Sequence, residues 1–334
     1  MQQIVLVVTA IGLGLGIGSL TGGFAFSSTV CLVAGVFLVT PTLFKFDIKD
    51  LALVQNALPS IGAALWINYI VMVLASLLIG FLSRDIGIAG ALFLLALLPG
   101  GGMVMMWIKT SGANPKLGFI IFMLNLALVL PVTMVFSQHF AVVSGLFPAP
   151  DLSEVKAAAG GGVKPLAPFM ILIVLPFVLS RIARAFVPGV INVTERYQQV
   201  ISKATMFGIV FYLFSLTTAQ MLFSVSITSL FQAAIATFAF YGVAFGAARY
   251  LTKNTPEGRA VYWHVATRYI TLALIMAVFS IDTYGPTFIL PVMIAYFVQI
   301  GAAGILRRQM QARTAALTPV SSAALSGFEV LPNQ

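Results

Sequence analysis

The sequence predicts an all-α membrane protein with ten transmembrane helices, arranged as two inverted repeats of five helices each. Three observations predict this class: the composition, a series of apolar segments, and the distribution of basic residues. Of the 334 residues, 60% are hydrophobic and 8% are charged, whereas roughly 25% of the residues in a soluble protein are charged. Lipid is therefore the expected solvent for most of the chain.

Ten apolar segments each have about the 20 residues that a helix needs to cross a bilayer. They occupy residues 3–21, 25–43, 61–82, 88–110, 118–138, 168–186, 206–223, 226–250, 260–281 and 285–306. Five segments on each side of a Gly-, Ala- and Pro-rich stretch force the second half to be inverted, as in many transporters. We expect a first repeat at 1–140, an external connection at 141–167, a second repeat at 168–308 and a disordered cytoplasmic tail at 309–334.

The basic residues set the expected orientation, because Lys and Arg concentrate in cytoplasmic loops. With the N-terminus inside, 14 of the 18 Lys and Arg residues are cytoplasmic, and only Arg84, Lys156 and Lys164 lie outside. The remaining one, Arg268, falls within a span. We expect an integral protein of a bacterial cytoplasmic (inner) membrane with both termini in the cytoplasm.

A cysteine at position 153 tests this topology. In a Cys31→Ser background, a membrane-impermeant maleimide should label Ser153→Cys in intact cells, because the connection at 141–167 faces outward. Labelling only after the membrane has been permeabilised would contradict the ten-helix arrangement.

Composition also excludes several classes of function. The net charge of +9 does not indicate a nucleic-acid partner, since the basic residues lie in short loops. One cysteine excludes a disulfide framework and a Cys-cluster metal site, and two histidines do not make a zinc site. The sequence shows no nucleophile–base pair and no acidic pair of the kind that would indicate an enzyme. We expect no cofactor.

The fourth segment contains Pro99 followed by Gly100, Gly101 and Gly102. Proline removes a backbone donor, and each glycine weakens a helix by about 1 kcal/mol relative to alanine. Broken backbone at membrane depth occurs only where it is buried in protein or lines a cavity. The pattern predicts a discontinuous helix whose freed amides face a substrate; a kinked, tightly packed helix is the alternative.

The ninth segment carries His264, Arg268 and Thr271, a spacing that places all three on one face of a continuous helix. No acidic residue lies deep in a span to neutralise Arg268, and an intramembrane charge costs at least ~2.5 kcal/mol. These residues predict a site for an anion. The alternatives are that Arg268 bonds only carbonyl groups of broken helices, and that His264 is a hydrogen-bonded core residue rather than a proton carrier.

Other polar residues in the apolar segments must find internal partners or line the cavity. Among them we expect Asn68, Asn125 and Thr217 to contact the substrate. The glycines at positions 12, 14, 16 and 18 predict close helix packing rather than a nucleotide-binding loop.

Several motifs carry a family resemblance. They are LPGGGMVMMW at 98–107, Asn114-Pro115, Asn125, PTLFKFD at 41–47, Asn68-Tyr69 and Phe214-Ser215-Leu216. Together they resemble the bile acid:sodium symporter superfamily, and most closely its arsenite efflux permeases. The resemblance implies broken fourth and ninth helices that cross at the midplane, in a core domain that moves against a panel domain.

The departures from that family concern the coupling sites. The cysteine of the permeases is Gly100 here, and the glutamate of their ninth helix is Thr271. Against the sodium-coupled branch, a Ser-Asn pair aligns with Val104-Met105, a glutamate with His264 and a glutamine with Arg268. The resemblance therefore implies the fold but neither known coupling site.

The expected function is that of a secondary transporter that moves a small organic anion across the bilayer by alternating access. A coupling proton carried by His264 and uncoupled uniport are both open. The alternatives are an arsenite or oxyanion efflux permease and a non-transporting membrane receptor or sensor.

Overall fold

The computed structural model describes residues 2–24, 27, 29–30, 33–34, 36–37, 40, 54–101, 104–143, 166–216 and 225–317. These residues form helices and no strand, although two isolated β-bridges join separate segments. The all-α prediction is therefore confirmed for the part of the chain that is described.

Among the described residues, seven helical elements with continuous bounds lie before the long connection and seven follow it, and single residues described between 29 and 40 are also helical. The first group is α1 Gln2–Thr21, α2 Val54–Trp66, a π turn Ile67–Val71, α3 Met72–Ser83, α4 Ile86–Leu97, α5 Val104–Thr110 and α6 Pro115–Val143. The second group is α7 Leu166–Phe186, α8 Pro188–Phe214, α9 Ile227–Leu251, α10 Pro256–Ala266, α11 Ile270–Tyr284, a 3-10 turn Pro286–Phe288 and α12 Ile289–Leu317.

Three helical stretches among the described residues are long and apolar enough to cross a membrane: Ala57–Ser83, Ile227–Leu251 and Pro286–Leu306. Shorter apolar helices occupy Val5–Thr21, Ile86–Leu97, Pro115–Leu128 and Lys203–Phe214. Large apolar side chains point outward from the long helices, as Leu74 (61% exposed) and Phe238 (60% exposed) show. Such a surface suits lipid rather than water.

Helices α4 and α11 lie at the centre of the fold. Every residue of α4 from Gly87 to Leu97 is buried, and so is the start of α11 from Ile270 to Ala277. Close packing depends on small residues: a Cβ atom at Gly90 would collide with the ring of Tyr284. A helix buried on all sides, as α4 is from Gly87 to Leu97, requires apolar residues around its whole circumference, which the sequence supplies.

Side-chain caps fix where several of the helices begin. Asp85 accepts a hydrogen bond from the Ile88 amide at 3.0 Å and so caps α4, and it also accepts from the Thr287 hydroxyl at 2.8 Å. Thr255 caps α10 by accepting from the Gly258 amide at 3.1 Å. The cap at Asp85 thus ties the start of α4 to the turn before α12.

The structure corrects several predicted boundaries. The ninth segment is not one helix, because it is interrupted at 267–269. The seventh segment, predicted at 206–223, is helical from Pro188 and ends at Phe214, so Arg196 lies in a helix rather than in a loop. Helix α12 continues to Leu317, past residue 309 where the tail was predicted to begin. Most of the 141–167 connection lies outside the described residues.

Close packing at the glycines of α1 occurs at Gly14. A Cβ atom there would lie 2.7 Å from the Phe211 carbonyl oxygen of α8, so the two helices can approach only because this residue is glycine. At Gly12 and Gly16 a Cβ atom would meet nothing within 4 Å. The prediction of close packing is therefore right for Gly14, no described residue meets it at the exposed Gly12 and Gly16, and Gly18 is buried.

Candidate functional site

Two helix breaks lie side by side and pair with each other. One separates α4 from α5, and the other separates α10 from α11. The Gly100 amide donates to the Thr267 carbonyl at 2.8 Å, and the Tyr269 amide donates to the Leu98 carbonyl at 2.8 Å. Pro99 and Arg268 face each other as an antiparallel bridge. Backbone groups released by one break are thus satisfied by the other.

This pairing confirms that the fourth segment is discontinuous and corrects the predicted role of one amide. Gly100 was expected to present its amide to a substrate, but Thr267 takes it. The residue is glycine for a steric reason: its φ is +75°, and a Cβ atom would lie 2.8 Å from His264 Nδ1. Gly101 has φ +130° and packs on Tyr269. Gly102 lies outside the described residues.

The Arg268 side chain is buried between the breaks, with 1% of its surface exposed. Its Nη1 donates to Asn68 Oδ1 at 3.1 Å and to the Ala96 carbonyl at 3.4 Å, and its Nη2 donates to the Val265 carbonyl at 2.9 Å. Its Nε has no acceptor among the described residues. Three of the five guanidinium N–H groups are therefore matched, and Nε is free to donate.

The charge of Arg268 is offset in part by dipoles. Ala96 and Val265 lie at the C-terminal ends of α4 and α10, where helix carbonyls carry partial negative charge. The Phe240 ring lies 5.6 Å from the guanidinium carbon. None of the hydrogen bonds that Arg268 makes within the described residues goes to a carboxylate. Among the described residues, the acceptors for the positively charged guanidinium are therefore two backbone carbonyl oxygens and one side-chain amide oxygen, all of them neutral.

Gln299 of α12 holds the backbone of Arg268. The Arg268 amide donates to Gln299 Oε1 at 2.6 Å, and Gln299 Nε2 donates to the Arg268 carbonyl at 3.1 Å. Tyr241 donates its hydroxyl to the same Oε1 at 2.9 Å. Gln299 is not among the site residues that the sequence predicts. The signal that could have revealed it is an amide inside an apolar segment, which must find partners.

His264 is engaged at both ring nitrogens. Its Nε2 lies 2.8 Å from the Gly118 carbonyl oxygen, which can only accept, so Nε2 carries the hydrogen. Nδ1 then accepts from Asn125 Nδ2 at 3.5 Å, and Asn125 Oδ1 accepts from the Tyr69 hydroxyl at 3.4 Å. The consistent direction of these bonds describes a neutral, hydrogen-bonded core histidine.

The predicted common face of His264, Arg268 and Thr271 is wrong. The break at 267–269 interrupts the helical periodicity, so His264 faces α6 while the Thr271 hydroxyl meets the Tyr296 hydroxyl of α12 at 2.7 Å. The structure brings Asn68 to Arg268 and Asn125 to His264. Thr217 lies outside the described residues.

Two cavities lined by described residues lie near these elements. One of about 240 Å³ has an apolar lining that includes Phe37, Ile209, Tyr212 and Ile275. The other, of about 10 Å³, touches Pro99, Asn125 and Tyr269 at the break. The second has room for about one water molecule. Arg268 is 1% exposed, so an organic solute would reach it only after the surrounding helices move apart.

The comparisons with known proteins add no family to this description. No protein-family model matches the chain, and no curated protein matches it.

Proposed function

We propose that this protein is a secondary transporter that moves a small organic anion across a membrane by alternating access. The observation that carries the proposal is the buried Arg268, held at the paired helix breaks without a carboxylate partner among the described residues. Discontinuous helices at membrane depth are a recurrent way of building a binding site in transporters.

The proposed architecture is the ten-helix inverted repeat, with both termini in the cytoplasm of a bacterial inner membrane. Each proposed repeat supplies one break: Leu98–Gly101 from 1–140 and Thr267–Tyr269 from 168–308. The hydrogen bonds between Gly100 and Thr267 and between Tyr269 and Leu98 support this architecture. They join the two proposed repeats at the breaks, which is where the broken helices would have to pivot during alternating access. Each broken helix could then tilt without losing its internal hydrogen bonds.

Arg268 supplies the recognition of the anion in this proposal. A guanidinium stays charged and can hold a carboxylate through parallel N–H bonds, which suits it to this role. The closed site implies that the anion enters in a more open conformation. His264 has no unused ring nitrogen, which favours uniport, or coupling through another group, over a proton carried by His264.

A thermal-stability screen of the purified protein tests this function. Carboxylates, sulfonates and oxyanions, including arsenite, should be compared at equal ionic strength. A bound ligand raises the melting temperature by mass action, and we expect small carboxylates to do so most. Stabilisation by arsenite alone would support an oxyanion permease. A carboxylate that binds without crossing the membrane of sealed vesicles would support a receptor.

Sodium should not be needed for binding. At the positions that align with sodium ligands, this chain has the Val104 side chain, the Met105 thioether, the His264 imidazole and the Arg268 guanidinium. Sodium is a hard cation that prefers oxygen ligands, and the charge of Arg268 would repel it. Replacing sodium by potassium at constant ionic strength should change carboxylate affinity by less than about twofold, well under 1 kcal/mol. Strict sodium dependence would show that another oxygen-lined site exists.

A further inference from the structure

Two buried N–H donors without acceptors lie on side chains that touch each other. They are Asn68 Nδ2 and Arg268 Nε, and neither has a hydrogen-bond partner among the described residues. Asn68 is 0% exposed and Arg268 is 1% exposed. Buried donors are almost always paired, so two unpaired donors in one contact call for an acceptor.

The orientation of the Asn68 amide follows from this contact. Asn68 Oδ1 accepts from Arg268 Nη1 at 3.1 Å. Rotating the amide by 180° would place its NH2 group against a guanidinium that can only donate. The free group on Asn68 is therefore its NH2 donor, and the backbone places it there through the π turn Ile67–Val71. Such turns often occur at functional sites.

From these contacts we infer that Asn68 and Arg268 form a receptor for one carboxylate group, and that the transported solutes are monocarboxylates. The inference rests on the proposed function and narrows it. A carboxylate has two oxygens, one for Arg268 Nε and one for Asn68 Nδ2, and a single negative charge that matches the single guanidinium. Charge-assisted bonds of this kind are the strong ones.

The same charge balance disfavours a dicarboxylate. The hydrogen-bond partners of the pair within the described residues are all neutral: the Ala96 and Val265 carbonyls and the Gln299 side chain. A second carboxylate bound near the pair would bring a charge that none of these groups can neutralise. A buried unpaired ion is strongly disfavoured, so the site should select anions with one charge.

The variant Asn68→Asp is the sharpest test, because it puts a carboxylate of nearly the same shape beside Arg268. The new carboxylate should pair with Arg268 internally and remove both the free donor and the uncompensated charge. In detergent, sodium formate should stabilise the wild type against heat in a saturable way, whereas Asn68→Asp should bind formate at least tenfold more weakly without a lower melting temperature. The exposed Asn192→Asp is the matched control and should bind formate like the wild type.

Asn68→Ala gives a second test that adds no charge. It removes one donor while keeping Arg268, so formate affinity should fall about tenfold, which corresponds to the loss of one hydrogen bond. This variant decides the question if Asn68→Asp does not fold. Formate binding by either variant at wild-type affinity would overturn the paired-donor site.

Selectivity completes the test. Formate should stabilise the wild type at concentrations at which succinate, tested at the same ionic strength, does not. Stabilisation by succinate but not formate would overturn the monocarboxylate assignment, and the proposed anion transport would survive it. If no carboxylate stabilises the wild type, the paired-donor site is overturned and the proposed function fails as well.

Discussion

Replacing Gly100 by alanine should destabilise the protein by about 2–5 kcal/mol, combining a cost of about 1–2 kcal/mol for a left-handed conformation with about 1–3 kcal/mol for overpacking. The backbone at Gly100 has φ +75°, and the added methyl group would lie 2.8 Å from His264 Nδ1. Displacing the ring would also disturb its bonds to Asn125 and Gly118. Thermal unfolding in detergent, monitored by circular dichroism, measures the effect.

Gly62→Ala is the control for this variant. Gly62 lies in α2 with nothing within 4 Å of an added Cβ atom, so alanine there should be neutral or stabilise the helix by up to about 1 kcal/mol. Wild-type stability in Gly100→Ala would show that the tight pairing of the two breaks is not needed by the fold.

Arg268→Gln should weaken carboxylate binding roughly tenfold to a hundredfold, because a hydrogen bond to a charged group contributes about 1.5–3 kcal/mol. Stability should also fall by about 1–3 kcal/mol, the cost of leaving a buried acceptor unpaired, because the Ala96 and Val265 carbonyls lose a donor. Arg268→Lys should recover part of the binding, since it keeps the charge but lacks the planar fork. Isothermal titration with the best carboxylate from the screen measures both variants.

The exposed Arg196 of α8 provides the matched control, and Arg196→Gln should bind like the wild type. Thr271→Ala and His264→Gln should weaken binding less than Arg268→Gln, because their side chains bond to Tyr296 and Gly118 rather than to the guanidinium. If Arg268→Gln binds as well as the parent, Arg268 only ties the ends of α4 and α10 together.

The two breaks differ in how far the sequence could predict them. The first has local causes, since Pro99 cannot donate and the glycines allow positive φ, so its position follows from composition. The second, Thr267-Arg268-Tyr269, contains neither proline nor glycine, and only the family resemblance implied it. Its cause is tertiary: the extended backbone there supplies the partners that the first break needs. Local propensity does not encode such a contact.

The sequence predicts which residues belong to the candidate site better than it predicts how they are arranged. Arg268 could be predicted because an arginine within an apolar segment is unusual. Asn68 and Asn125 could be predicted because they are polar residues within other apolar segments. Which of them meet depends on how the helices pack: Asn68 reaches Arg268, whereas Asn125 reaches His264. The periodicity argument failed for Thr271 because it assumed an unbroken helix.

Uptake into sealed proteoliposomes tests the central claim most directly. The labelled substrate is the carboxylate that stabilises the wild type most, and the proteins compared are the wild type, Arg268→Gln and Arg196→Gln at equal reconstitution. The account predicts uptake by the wild type and Arg196→Gln well above that of protein-free liposomes, with Arg268→Gln at background. Equal uptake by Arg268→Gln and the wild type, or no uptake by a wild type that binds the carboxylate, would contradict it.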